Sequence, residues 1–108
     1  MIRTVITTFA DEETAVAVSR RLVEKRLAAC ATLIPGARSI YRWKNEIHDE
    51  KEIIVLFKLS STTYDLFITE ISKHHPYQTP ELITIDPNQT SESYSEWVLL
   101  QCEGANHE

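Results

Sequence analysis

The chain has 108 residues, 43% hydrophobic and 25% charged, which suits one soluble domain, residues 1–108, with a single core. Eleven basic against 16 acidic side chains give a formal charge of −5, which argues against a nucleic-acid backbone or an acidic membrane surface as partner. Two glycines leave no glycine-rich phosphate loop, and two distant cysteines, Cys30 and Cys102, read as free thiols rather than a disulfide framework. No stretch is apolar enough for a signal sequence or a bilayer span, so the expected location is the cytoplasm.

In chain order, Thr4 to Phe9 is short and rich in β-branched residues and reads as a strand. Asp11 is a good N-cap, and Glu12 and Glu13 suit a first helical turn. Ala15, Val18 and Leu22 recur at helical spacing, which predicts a helix from Glu12 to about Arg26. Ala29 to Trp43 is expected to be one long strand broken by a bulge at Pro35-Gly36. Lys44-Asn45-Glu46 makes the hairpin, and the chain returns from Glu50 to Leu59. The run Ile53 to Phe57 is apolar at every position, as in a central strand.

Ser60 and Ser61 cap a second helix, in which Tyr64, Phe67, Ile68 and Ile71 share one face. That helix ends at His74, because Pro76 bars His75 from the helical conformation. Leu82 to Ile85 reads as a strand, Asp86 to Gln89 as a turn, and a last helix starts at Ser91 or Ser93. Gly104 to Glu108 is expected to be a frayed tail.

The order βαββαβ plus a helix defines an α+β, ferredoxin-like sandwich with an antiparallel sheet. Two helices cover one sheet face. The other face, with the long hairpin and its Tyr41 and Trp43, would remain in water in a lone domain, which points to an oligomer.

The densest chemistry lies at Lys73-His74-His75-Pro76-Tyr77-Gln78-Thr79-Pro80-Glu81. Adjacent residues on one helix point about 100° apart, but extended geometry at His75 allows the two imidazoles to converge. Imidazole suits Cu(II), which leads the divalent affinity order. The plainer reading is that His74 complements the negative end of its helix. Lys58 and Glu81 either line a polar pocket beneath a subunit junction or form a simple ion pair. Tyr41 and Trp43 either stack on a ligand or anchor an interface. Cys30, between alanines, reads as a small buried hydrophobe, and Cys102 as incidental. No nucleophile elbow or zinc-type histidine pair is present, so catalysis is not expected.

Four motifs carry a specific resemblance: Leu27-Ala28-Ala29-Cys30, Leu33-Ile34-Pro35-Gly36, Ser39-Ile40-Tyr41-Arg42-Trp43 and His74 to Glu81. With these the chain resembles the CutA divalent-ion tolerance family from Val5 to about Trp97. The resemblance implies a ferredoxin-like fold, a homotrimer in the cytoplasm, and binding of divalent cations, copper above all. It implies a metal site made of a cysteine at the end of the first strand and two adjacent histidines. The histidines carry over as His74 and His75, while Thr7 stands at the cysteine position. The leading expectation is therefore a trimeric copper-binding protein of cation tolerance. The alternatives are a trimer that binds a small anionic ligand for signalling, using Lys58, Arg38 and Arg42, and a structural trimer whose metal binding is incidental.

Overall fold

The computed structural model describes residues 1–105. The elements are β1 (Ile2–Phe9), α1 (Glu12–Glu24), β2 (Cys30–Trp43), β3 (Glu46–Ser60), α2 (Tyr64–His74), β4 (Ile83–Ile85) and α3 (Glu92–Gln101), with a 3-10 turn at Ser61–Thr63 before α2. The four strands form one antiparallel sheet in the order β2-β3-β1-β4, the ferredoxin-like arrangement.

Register places the core. Val5 pairs with Phe57 and Thr7 with Val55, so these four side chains and Phe9 share the face beneath the helices. All five are fully buried, as are Phe67 and Ile71 of α2 and Ala15 of α1, with Leu22 nearly so. Phe57 meets Phe67 edge-on, with centroids 5.0 Å apart. The apolar run Ile53 to Phe57 is the middle of the central strand β3, as its composition predicts.

Local signals explain the boundaries. Asp11 caps α1 by accepting the Thr14 amide at 2.7 Å. The helix stops earlier than its periodicity predicts. Arg26 takes a left-handed conformation (φ 61°), and Leu27 N–H returns to the Leu22 carbonyl in a Schellman closure. The expected bulge is present as a register shift between Ile34 and Ala37, with Gly36 at φ 81°. The hairpin loop is shorter than predicted. Lys44 and Asn45 both have positive φ and form a two-residue turn, while Glu46 already pairs with Trp43.

The opposite sheet face carries Cys30, Thr32 and Ile34 of β2 beside Lys58, Leu56 and Ile54 of β3. The sequence suggests nothing to cover it. In the structure α3 reaches one end, where Tyr94 Oη lies 3.5 Å from Cys30 Sγ. Ile34, Ile83 and Ile85 on that face remain 44–52% exposed. Beyond Phe9 the β2–β3 hairpin continues as two strands, with Ile40 and Ile47 at 68% and 61% exposure.

The tail expectation changes at Ala105, which packs against the core; residues 106–108 lie outside the described residues. Cys102 is likewise a core residue at 4% exposure, not an incidental one, because α3 turns it inward beside Val98. Both cysteines are free. Among the described residues no helix is long and apolar enough to cross a membrane.

Candidate metal centre

The two histidines part company at the end of α2. His74 is the last helical residue. His75 is extended (φ −74°, ψ 128°), as the following proline requires, while its N–H still closes the helix on Ile71 O at 2.8 Å. That change of backbone sends one imidazole outward and the other into the core.

The His74 side chain is 39% exposed, and its Nε2 lies 3.2 Å from Glu70 Oε2, one turn back. The same oxygen accepts Arg21 Nε at 2.6 Å and meets Lys25 Nζ at 3.1 Å, both from α1. The Arg21 hydrogen bond, with help from Lys25, holds the Glu70 carboxyl down at about 2 against the upward push of burial. Nothing among the described residues hydrogen-bonds His74 Nδ1.

His75 is 7% exposed and stacks on Phe9 with centroids 4.3 Å apart. Its Nε2 lies 2.9 Å from the Thr8 carbonyl oxygen and 3.2 Å from Thr7 Oγ1. Its Nδ1 accepts the Tyr77 N–H at 3.2 Å. A carbonyl can only accept and an amide can only donate, so the two neighbours assign the same tautomer: Nε2 carries the proton and Nδ1 the lone pair. Burial lowers the His75 pKa, partly offset by the Thr8 carbonyl and the charge of Glu52.

Tyr77 extends this chain of contacts. Its hydroxyl donates to Glu52 Oε2 at 2.5 Å, and Glu52 is 8% exposed at the base of the hairpin. Burial first, then the Glu52 carboxylate, pushes the Tyr77 phenol far above its ordinary range. The sequence points to neither Glu70 nor Glu52, and to Tyr77 only as a member of the stretch from Lys73 to Glu81. Glu70 was findable, because it lies four residues before His74. Glu52 was not, because nothing local pairs it with Tyr77.

The other candidates are dispersed. Lys58 Nζ donates to Thr32 Oγ1 at 2.6 Å and to the Leu56 carbonyl at 3.3 Å, not to Glu81, which is exposed. The expected Lys58–Glu81 pair is therefore absent within the chain, because the ammonium is already satisfied on its own sheet face. Arg38 is bound through two hydrogen bonds to Asp49, at 2.7 and 2.8 Å, and is not free for an anion. Tyr41 donates to Glu50 at 2.6 Å and stacks on His48 at 5.2 Å. Trp43 has Lys44 Nζ 6.0 Å from its ring centroid, and both aromatics remain 39% exposed. Cys30 is half-buried rather than a core hydrophobe, since it lies on the sheet face that α3 only partly covers.

A three-ligand site of a thiolate and two imidazoles does not fit this single chain. Thr7 does lie beside His75, but a hydroxyl replaces the thiol. Both His75 nitrogens are engaged, and no group of three or more His, Cys, Asp or Glu side chains converges among the described residues.

Fold and site together define a small ferredoxin-like α+β domain with an outward histidine and an inward one at the α2 terminus. The model of the family described as CutA1 divalent ion tolerance protein matches residues 3–101, and the chain belongs to that family. Divalent-cation tolerance protein CutA of Yersinia pestis (strain Pestoides F) is 37% identical over 94 residues, covering 87% of this chain and 79% of that protein. The structure is similar to that of CutA from Xylella fastidiosa, with a TM-score of 0.91 at 34% identity, covering 94% of this chain and 98% of that one. It is also similar to the divalent cation tolerance protein Cut A1 of Thermus thermophilus, with a TM-score of 0.88 at 32% identity over 94% and 98% of the two chains.

Proposed function

We propose that the protein acts in divalent-cation tolerance as a cytoplasmic homotrimer that takes up a divalent cation, copper above others, at modest affinity. His74 provides the imidazole, and the remaining ligands come from water or a second copy. The observation that carries this reading is the His74 ring: exposed, held beside Glu70, with Nδ1 unpartnered among the described residues. A metal-binding imidazole is commonly oriented by a carboxylate at its other nitrogen. The net positive charge of Arg21 and Lys25 around Glu70 opposes a cation, which argues for modest affinity.

The trimer is supported by the half-bare sheet face and by the exposed isoleucines of the hairpin. Two free thiols support a reducing compartment. The reading is one of binding rather than catalysis. The anion-signalling alternative is less supported for two of its three cations, because Arg38 and Lys58 are both engaged within the chain.

Calorimetric titration with Cu(II), paired with sedimentation velocity, tests the proposal. Wild type is expected to sediment as a trimer and bind copper, and His74→Ala to remain trimeric with binding lost. Copper binding unchanged in His74→Ala refutes the site. A stable monomer at micromolar concentration refutes the assembly.

A further inference from the structure

The structure assigns His75 the role of a latch rather than a metal ligand: its neutral imidazole fastens the end of α2 to the end of β1, and any cation taken up at this junction is held through the His74 imidazole and not through that of His75. The inference rests on the metal reading above only for His74; the role of His75 stands on separate geometry.

A neutral imidazole has one nitrogen able to coordinate a metal. In His75 that nitrogen is Nδ1, and the Tyr77 amide already donates to it at 3.2 Å. The other nitrogen points its proton at the Thr8 carbonyl, 2.9 Å away. Coordination at Nδ1 would strip the Tyr77 N–H of its acceptor. Coordination at Nε2 would require the ring to change tautomer, so that two donors faced each other at Nδ1 and the Thr8 carbonyl faced a metal ion. Access is also closed. Phe9 covers one ring face, and Thr7, beside Nε2, has no exposed surface.

The same contacts explain what the residue does. The bond from Nε2 joins α2 to the last residues of β1. The bond into Nδ1 fixes the Tyr77 backbone, and Tyr77 in turn reaches Glu52 at the base of the hairpin. The ring thus ties the end of α2 to β1, and the Tyr77 hydroxyl carries the link on to the hairpin. His74, one residue earlier, takes part in none of these bonds.

Long-range proton–nitrogen NMR of the full chain, with Zn2+ alone as a diamagnetic probe, tests the assignment. The expected spectrum shows His75 as the Nε2–H tautomer, with its ring nitrogens unmoved by zinc while those of His74 shift. An Nδ1–H tautomer, or a metal-bound shift at His75, overturns the latch. If neither ring shifts at saturating zinc while the His75 tautomer is as stated, the latch stands and the metal reading fails. His75→Gln adds a second readout: faster exchange of the Tyr77 amide, with the His74 zinc response retained. Unchanged Tyr77 exchange in a folded His75→Gln protein also overturns the latch. If that variant does not fold, the wild-type tautomer and its response to zinc decide the question.

Discussion

Arg21 of α1 donates to Glu70 of α2 at 2.6 Å, and a carboxylate with a 9% exposed side chain thereby joins the two helices. Lys25 closes on the same oxygen. Glu70→Gln is expected to cost about 1–3 kcal/mol at neutral pH, since it leaves cationic donors facing a weaker acceptor. The pH dependence follows from the lowered carboxyl. Its folded value of about 2 lies below the ordinary glutamate value of roughly 4.3, so its contribution is complete above about pH 5 and lost as pH falls toward 2. Urea melts of wild type and Glu70→Gln should therefore differ at pH 7 and converge toward pH 2. A gap that widens on acidification contradicts this assignment.

Tyr77→Phe removes the hydroxyl that donates to the buried Glu52 carboxylate. The expected loss is about 1–3 kcal/mol, because the carboxylate keeps its desolvation without its donor. Tyr77→Phe combined with Glu52→Leu should recover part of the loss, since removing both partners leaves nothing polar unpaired. A double-mutant cycle measures the coupling. Additive losses would mean that the two side chains do not depend on each other.

Thr7→Cys places the thiol that the resemblance implies next to the His75 ring. Thr7 is fully buried, and the nearby nitrogen carries a proton directed at Thr8 O. Copper affinity is therefore expected to stay close to wild type. A gain of about tenfold or more, the scale on which metal-site partners act, would show that the core opens to admit the ion.

Two substitutions separate folding from assembly. Phe57→Ala removes a fully buried ring at the centre of the sheet and should cost about 3–5 kcal/mol. Ile40→Glu with Ile47→Glu alters two exposed positions on one face of the hairpin, and such surface changes move stability by only about 0.5 kcal/mol. Equilibrium sedimentation should nevertheless show the hairpin variant shifted toward smaller species. An unchanged mass would mean that these isoleucines lie outside any subunit contact.

The fold was legible because its signals are local or periodic. The alternation around Pro35-Gly36, the all-apolar run at Ile53 to Phe57, and the spacing of Phe67 and Ile71 each depend on near neighbours in sequence. Helix α1 ended early because a left-handed Arg26 has no compositional marker. The candidate site was only half legible. Pro76 foretold the extended His75, but convergence of the two rings depended on what the buried one would meet. Those partners, Thr8 and Phe9, lie more than 60 residues away, and a β1 carbonyl oxygen leaves no trace in a side-chain pattern. The Lys58–Glu81 pairing failed for a similar reason, since Thr32 reaches Lys58 across a register that only the bulge and hairpin fix.

The strand order bears on how the chain matures during synthesis. β2 and β3 are joined by two residues and can zip together soon after both emerge from the ribosome. β1 is made first, yet it lies between β3 and β4, so it has no hydrogen-bonding neighbour until some fifty further residues have followed. Its apolar side chains must wait through that interval, and a nascent chain stalled before β3 would present Val5 and Phe9 to whatever chaperone is at hand.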